Sequence, residues 1–194
     1  MAETGGGATG EVVSNEDELL ILVDESDREI GHLSKGECHN GAGVLHRAFS
    51  LFIFNPAGEL LLQKRSAEKR LWPLYWSNSC CSHPRRGETM GEATVRRLEQ
   101  ELGLATTLHH LYTFRYQVPY LDLGSENEMC WVYAGLCDEE PRPNGREIAE
   151  TRWITADALD HELREQPDSL TPWFTMEWPE VRTEYRRVLG LPSL

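Results

Sequence analysis

Residues 44–54 are dense in β-formers, Asn55-Pro56-Ala57-Gly58 then supplies turn chemistry, and residues 59–65 resume the β pattern. This pair of runs about one turn constrains the fold most, because it predicts a hairpin and commits the middle of the chain to a sheet. Strand signals at 19–23, 128–136 and 152–154 offer that sheet partners. Helical signals fall between them. Thr89 with Glu92 makes a capping box, Gly103 closes the element, and Val95, Leu98 and Leu102 share one stripe. Thr155 caps a second helix running to Leu163, and residues 181–189 form a last one. Strands and helices interleave irregularly, which favours a mixed α+β sandwich over a doubly wound parallel sheet.

Residues 1–17 read as a disordered tail, since the opening ten are rich in Gly, Thr and Ala and lack periodicity. Residues 18–194 then form a single domain, without internal repeat or second linker. Residues 24–43 are a polar stretch holding Lys35 and His39, and residues 66–86 are aromatic, irregular and interrupted by Pro73 and Pro84. The latter segment is the candidate functional loop.

Acidic side chains number 32 against 19 basic ones, a formal charge of −13. Both nucleic acid and an anionic membrane reward a basic surface, so neither is an expected partner. Any anionic ligand must be held by local positive charge. No run approaches the roughly 20 apolar residues of a membrane span, and the first residues lack a secretory pattern, so a cytoplasmic protein without membrane insertion is expected. Five unevenly spaced cysteines, Cys38, Cys80, Cys81, Cys130 and Cys137, argue against a disulfide framework.

Chemistry concentrates at a few positions. In an extended strand Glu126 and Glu128 point to the same side, where two carboxylates repel unless a cation holds them. The pair fits either a solvated strand edge or a metal site. His39, His46 and His83 lie where packing need not consume them, either as scattered surface imidazoles or as ligands that meet in space. If they converge on the two glutamates, three nitrogens and two oxygens suit manganese, iron or zinc better than calcium. His32, His109, His110 and His161 lack such company. Cys81 stands two residues before His83, and neighbouring cations would favour its thiolate. Lys35, Arg65, Lys69 and Arg97, with Arg85 and Arg86 near by, are either solvated charges or a polyphosphate site. Arg97 and Glu101, four apart, share a helix face of their own.

Taken in order, His39 with His46, the run Trp76-Ser77-Asn78-Ser79-Cys80-Cys81-Ser82-His83-Pro84, Glu126-Asn127-Glu128 and Thr171-Pro172-Trp173 resemble the type 1 isopentenyl-diphosphate isomerases, a family of the Nudix superfamily. The resemblance runs from about Leu19 to the C-terminal region. The helix looks like a degenerate Nudix box, with Ser82, Glu88, Arg96-Arg97, Gln100-Glu101 and Gly103 in register. Ser82 replaces the first glycine, while Arg97 and Gln100 replace carboxylates that Nudix hydrolases use to gather metals. These departures weaken a hydrolase reading, in which a metal would activate water. A third alternative is a metal-stabilised binding module without turnover.

The resemblance implies a Nudix-like α/β/α sandwich around a mixed sheet and a reversible shift of the double bond of isopentenyl diphosphate to give dimethylallyl diphosphate, feeding isoprenoid biosynthesis. By the same resemblance Cys81 and Glu128 take opposite faces of the alkene, with Tyr116 assisting near Glu128 and Trp173 presenting a π face to cationic charge. Glu128 is favoured as the acid and the Cys81 thiolate as the base, an assignment the sequence leaves open. It further implies a divalent metal, Mn²⁺ or Zn²⁺, on His39, His46, His83, Glu126 and Glu128. A Mg²⁺ ion would bind through Glu101 and the diphosphate, while Lys35, Arg65, Lys69 and Arg97 meet phosphate. A monomer or weak homodimer is expected.

Overall fold

A computed structural model describes residues 10–191. The strands are β1 (Leu19–Val23), β2 (Glu29–Ser34), β3 (His46–Phe54), β4 (Leu60–Arg65), β5 (Trp76–Ser77), β6 (Cys80–Ser82), β7 (Leu108–Tyr120), β8 (Gly124–Leu136) and β9 (Ile148–Ile154). The helices are α1 (Lys35–Cys38), α2 (Met90–Leu102), α3 (Ala156–Glu165) and α4 (Pro172–Val188). All nine strands among the described residues belong to one sheet.

β3 is its axis. It pairs in parallel with β8 along its whole length, from His46 opposite Glu128 to Phe54 opposite Leu136, and antiparallel with β6 at Phe49, Ser50 and Leu51. Successive β3 side chains alternate between two cores. Phe49, Leu51 and Ile53 pack with Ala93, Leu98 and Leu102 of α2. Phe52 and Phe54 pack with Trp173, Phe174, Val181 and Tyr185 of α4. A strand covered on both faces must be apolar throughout, which is why residues 44–54 read as a continuous run. The expected sandwich of helices around a mixed sheet is what forms.

The expected hairpin is only half made. β3 and β4 pair at Phe54 and Leu60 alone, and β4 continues instead with β9 and β5. Two side chains from the irregular loop keep the strands apart. The Ser79 hydroxyl accepts from the Ile53 N–H at 2.8 Å and donates to the Leu61 carbonyl at 2.7 Å, while the Asn78 amide donates to the Leu51 carbonyl at 3.1 Å. Buried backbone groups must find partners, and here side chains replace a ladder.

Helix α2 starts at the Thr89 capping box, and Gly103 ends it in the left-handed region at φ 63°. Its buried face differs from the expected stripe. Val95 is 53% exposed, whereas Arg97 and Glu101 are buried. Helix α4 is longer than expected, starting at Pro172, which suits a first helical turn, and running through Pro179, which forfeits one backbone bond. Strands β2 and β7 and the short α1 occupy stretches in which no element was expected; β8 begins at Gly124 and β9 at Ile148, each four residues early.

Of the expected tail, residues 1–9 lie outside the described residues. Residues 10–17 contact the domain: Val13 is buried and its carbonyl accepts from Arg97 Nη1 at 2.6 Å, while the Asn144 amide donates to the Glu11 carbonyl.

Candidate active site

His39 follows α1, and its Nδ1 lies 2.7 Å from the Lys35 carbonyl, which leaves Nε2 free to face Glu126. The start of β8 closes on it. Ser125 N–H donates to the His39 carbonyl, and a Cβ on Gly124 would stand 2.2 Å from that oxygen, so only glycine fits. His46 opens β3, in parallel register with Glu128, and its Nδ1 is fixed by the Val44 carbonyl at 2.7 Å. His83 follows β6, with Nε2 2.9 Å from Glu128 Oε1. Glu126 and Glu128 alternate onto the same face of β8, as their spacing predicts.

The five expected ligands therefore do meet. Ligand atoms of His39, His46, His83, Glu126 and Glu128 all lie within 4.8 Å of one another. His46 Nε2 is buried without a hydrogen-bond partner, 3.7 Å from Glu128 Oε1, while Glu126 Oε2 lies 2.9 Å from His39 Nε2. Three imidazoles and two carboxylates converging in this way, one imidazole nitrogen among them without a partner, fit a divalent cation. Electrostatics agree. Burial opposes charge on His39, but Glu126 outweighs it and raises the imidazole to about 9. Burial, with His46 and His39 beside it, pushes His83 well down. Burial favours the neutral form of both glutamates as well, yet the imidazoles keep them below their ordinary value.

Glu101 lies apart from this group, on α2, where Arg97 grips Oε1 through Nε at 2.9 Å and Nη2 at 2.5 Å. Arg97 also stands 3.6 Å from Glu147, which pairs with Lys69. Lys35 bonds Ser14 at 2.5 Å, and burial together with Lys69 lowers its pKa. Lys35, Arg65, Lys69 and Arg97 line one cavity of about 310 Å³ with Cys81, Tyr116, Glu126, Glu128 and Trp173. Arg85 and Arg86 do not line it: Arg85 is held by Glu18 at 2.5 Å, and Arg86 is exposed.

At the cavity floor, strand alternation separates the adjacent cysteines. Cys80 packs in the α2 core, and Cys81 faces the other way. The Cys81 thiol donates to Asn78 Oδ1 at 2.8 Å and accepts from Trp173 Nε1 at 3.2 Å. Burial and Glu177 push it up to about 12, with Arg65, Ser77 and Trp173 opposing. Without a bound cation, burial thus favours the thiol form. Tyr116, opposite Glu128 on β7, donates to Glu128 Oε2 at 2.6 Å. The Trp173 ring carries the Arg65 guanidinium at 5.2 Å from its centroid, and that guanidinium also donates to the Leu71 and Trp72 carbonyls at 2.9 Å.

Three participants escaped the sequence reading. Asn78 orients the thiol from inside a recognised run, Glu147 joins the basic cluster just before β9, and Glu177 lies buried on α4. For Glu177 alone a signal existed: a carboxyl four residues past Trp173, between Met176 and Trp178.

The NUDIX domain family model matches residues 44–174, which sets the class. Solved structures agree in fold: a Deinococcus radiodurans protein superposes with TM-score 0.69 at 24% identity, covering 84% of this chain and 98% of that one. The MutT protein of Methanosarcina mazei gives 0.61 at 17%, covering 73% and 96%. The relatives narrow the class. Isopentenyl-diphosphate Delta-isomerase 1 of Photorhabdus laumondii is 39% identical over 166 residues, covering 84% of this chain and 94% of the relative. The isopentenyl-diphosphate Delta-isomerase of Nocardia farcinica is 38% identical over 170 residues, covering 87% and 97%. The chain belongs to the isopentenyl-diphosphate Delta-isomerase branch of the Nudix family.

Proposed function

We propose that the protein catalyses the reversible isomerisation of isopentenyl diphosphate to dimethylallyl diphosphate, feeding isoprenoid biosynthesis. The observation that carries this reading is one cavity holding a thiol, Cys81, and a carboxylate, Glu128, beside a basic cluster. Moving the double bond requires one proton added and another removed, with no redox change. An alkene is a poor base, so the addition develops tertiary carbocation character and demands positioned groups and little water.

Lys35, Arg65, Lys69 and Arg97 line the cavity and would receive the diphosphate, and Glu101, behind Arg97, is the side chain that would hold a Mg²⁺ ion to offset its charge. This anchors the five-carbon chain towards Cys81 and Glu128, which serve its two faces. Because the reaction is reversible, the group that donates in one direction accepts in the other. Tyr116 supports Glu128 by the hydroxyl bond to its second oxygen. His39, His46, His83, Glu126 and Glu128 hold a further divalent metal, Mn²⁺ or Zn²⁺. When bound it fixes the orientation of Glu128 and tunes its acidity. Trp173 faces the developing cation. Residues 18–194 act as one isomerase domain, a cytoplasmic monomer or weak homodimer, and Val12, Ser14 and Glu16 add to the cavity lining.

Incubation with isopentenyl diphosphate in heavy water tests the proposal. The expected result is dimethylallyl diphosphate carrying deuterium. Release of phosphate would instead mark a diphosphohydrolase, and unchanged substrate with bound metal a binding module.

A further inference from the structure

Behind the Cys81 thiol lies a carboxyl group that the proposed mechanism leaves idle. Glu177 stands four residues beyond Trp173 on α4 and is fully buried. Its Oε1 accepts from Cys130 Sγ at 3.5 Å, and its Oε2 is enclosed without a hydrogen-bond partner. The groups facing it are Ser50 of β3, Cys81 of β6, Cys130 and Glu128 of β8, and Tyr112 of β7, whose hydroxyl donates to the Glu177 backbone carbonyl at 3.1 Å. No Lys, Arg or His forms an ion pair with it among the described residues. A carboxylate so enclosed would lack any counter-charge, whereas the neutral acid has an O–H to give. Ser50 is its hydroxyl neighbour across Cys130, since Glu177 Oε1 and Ser50 Oγ both lie 3.5 Å from Cys130 Sγ. Ser50 Oγ donates to Cys81 Sγ at 3.8 Å.

We propose that Glu177 is a positioning residue for the isomerisation: as a neutral acid it donates to Ser50, whose hydroxyl then points at Cys81 and supports the sulfur whenever its proton is on the substrate. No bond at Glu177 forms or breaks; the proton in transit belongs to Cys81. The inference rests on Cys81 as one of the two proton-transfer groups. Loss of the Glu177 proton would reverse the string, because a carboxylate only accepts and would draw the Ser50 hydroxyl away from sulfur. Burial, with Glu128 beside it and against the bonds from Ser50 and Cys130, raises Glu177 to about 8. The sign follows: support is present below that pH and lost as pH rises through it.

The test is kcat and KM across about pH 6 to 10 for wild type, Glu177→Gln, Glu177→Leu and Cys81→Ala. Wild-type kcat should fall above about pH 8. The Gln variant, a neutral donor at every pH, should keep kcat within about threefold at neutral pH and lose that fall; the Leu variant should lose about tenfold in kcat with KM within about twofold. Wild-type kcat in the Leu variant, or an alkaline fall unchanged in the Gln variant, overturns the proposal. Should Leu prevent folding, the Gln profile decides alone. The control separates the two readings: turnover by Cys81→Ala rejects the role of Cys81 itself, whereas an inert Cys81→Ala beside unaltered Glu177 variants rejects only the role of Glu177.

Discussion

Two neighbouring thiols differ here by one step of a strand. Cys81 meets Asn78 and Trp173 in the cavity, while Cys80 is buried against α2. Cys81→Ala is therefore expected to abolish isomerisation while the protein still folds and binds diphosphate, and Cys80→Ala to retain most of its turnover; equal loss in both would reject the assignment. Trp173 permits a finer comparison. Trp, Phe and Leu form a series of falling π quadrupole at similar apolar character. Turnover should decline in that order, and so should affinity for an ammonium analogue of the substrate, while KM for the neutral alkene changes less. Parallel losses for the cationic and neutral ligands would leave the ring as a wall of the pocket. The Arg65 guanidinium lies over this ring as well, so the same series also removes that contact.

At the scale of elements, the segment 78–79 acts as a wedge between β3 and β4. Ser79→Ala removes an acceptor from the Ile53 N–H and a donor from the Leu61 carbonyl, both buried, so a loss of about 2 to 4 kcal/mol is expected in urea unfolding. A change below about 1 kcal/mol would show that the strands close up without it. The wedge also explains what was legible in the sequence. β3, β4 and α2 announced themselves through apolar runs, turn residues and a capping box, signals that depend only on neighbours in the chain. Which strands pair is decided by side chains such as Ser79, far away in sequence, and the hairpin expectation failed there. β7 was missed although Tyr112, Phe114, Tyr116, Val118 and Tyr120 alternate along it; only Tyr116 is buried, and the strand's order comes from pairing with β8. The five-ligand group was foreseeable as residue types. That they converge depends on the parallel register of β3 and β8, which no local pattern encodes.

Across the whole molecule, the metal ligands arrive from a helix end, two strands and a loop, so a bound cation ties the domain together. A ligand that binds only the folded state stabilises by about 2.7 kcal/mol at a hundred times its Kd. Chelation should accordingly lower Tm by about 5 to 10 °C. That shift should vanish in His46→Ala, which also loses metal, and persist in Glu101→Gln, whose side chain lies outside the group. Persistence of the shift in all three of His39→Ala, His46→Ala and His83→Ala would reject a shared site. The long parallel pairing of β3 with β8 carries a further consequence, for synthesis. His46 and Glu128 are separated by 128 − 46 = 82 positions, and the central strand has no permanent parallel neighbour until β8 exists. A ribosome must therefore release most of the chain before the site can assemble at all. Until then β3, apolar on both faces, emerges from the exit tunnel without its largest partner, the interval in which a holding chaperone has most to protect.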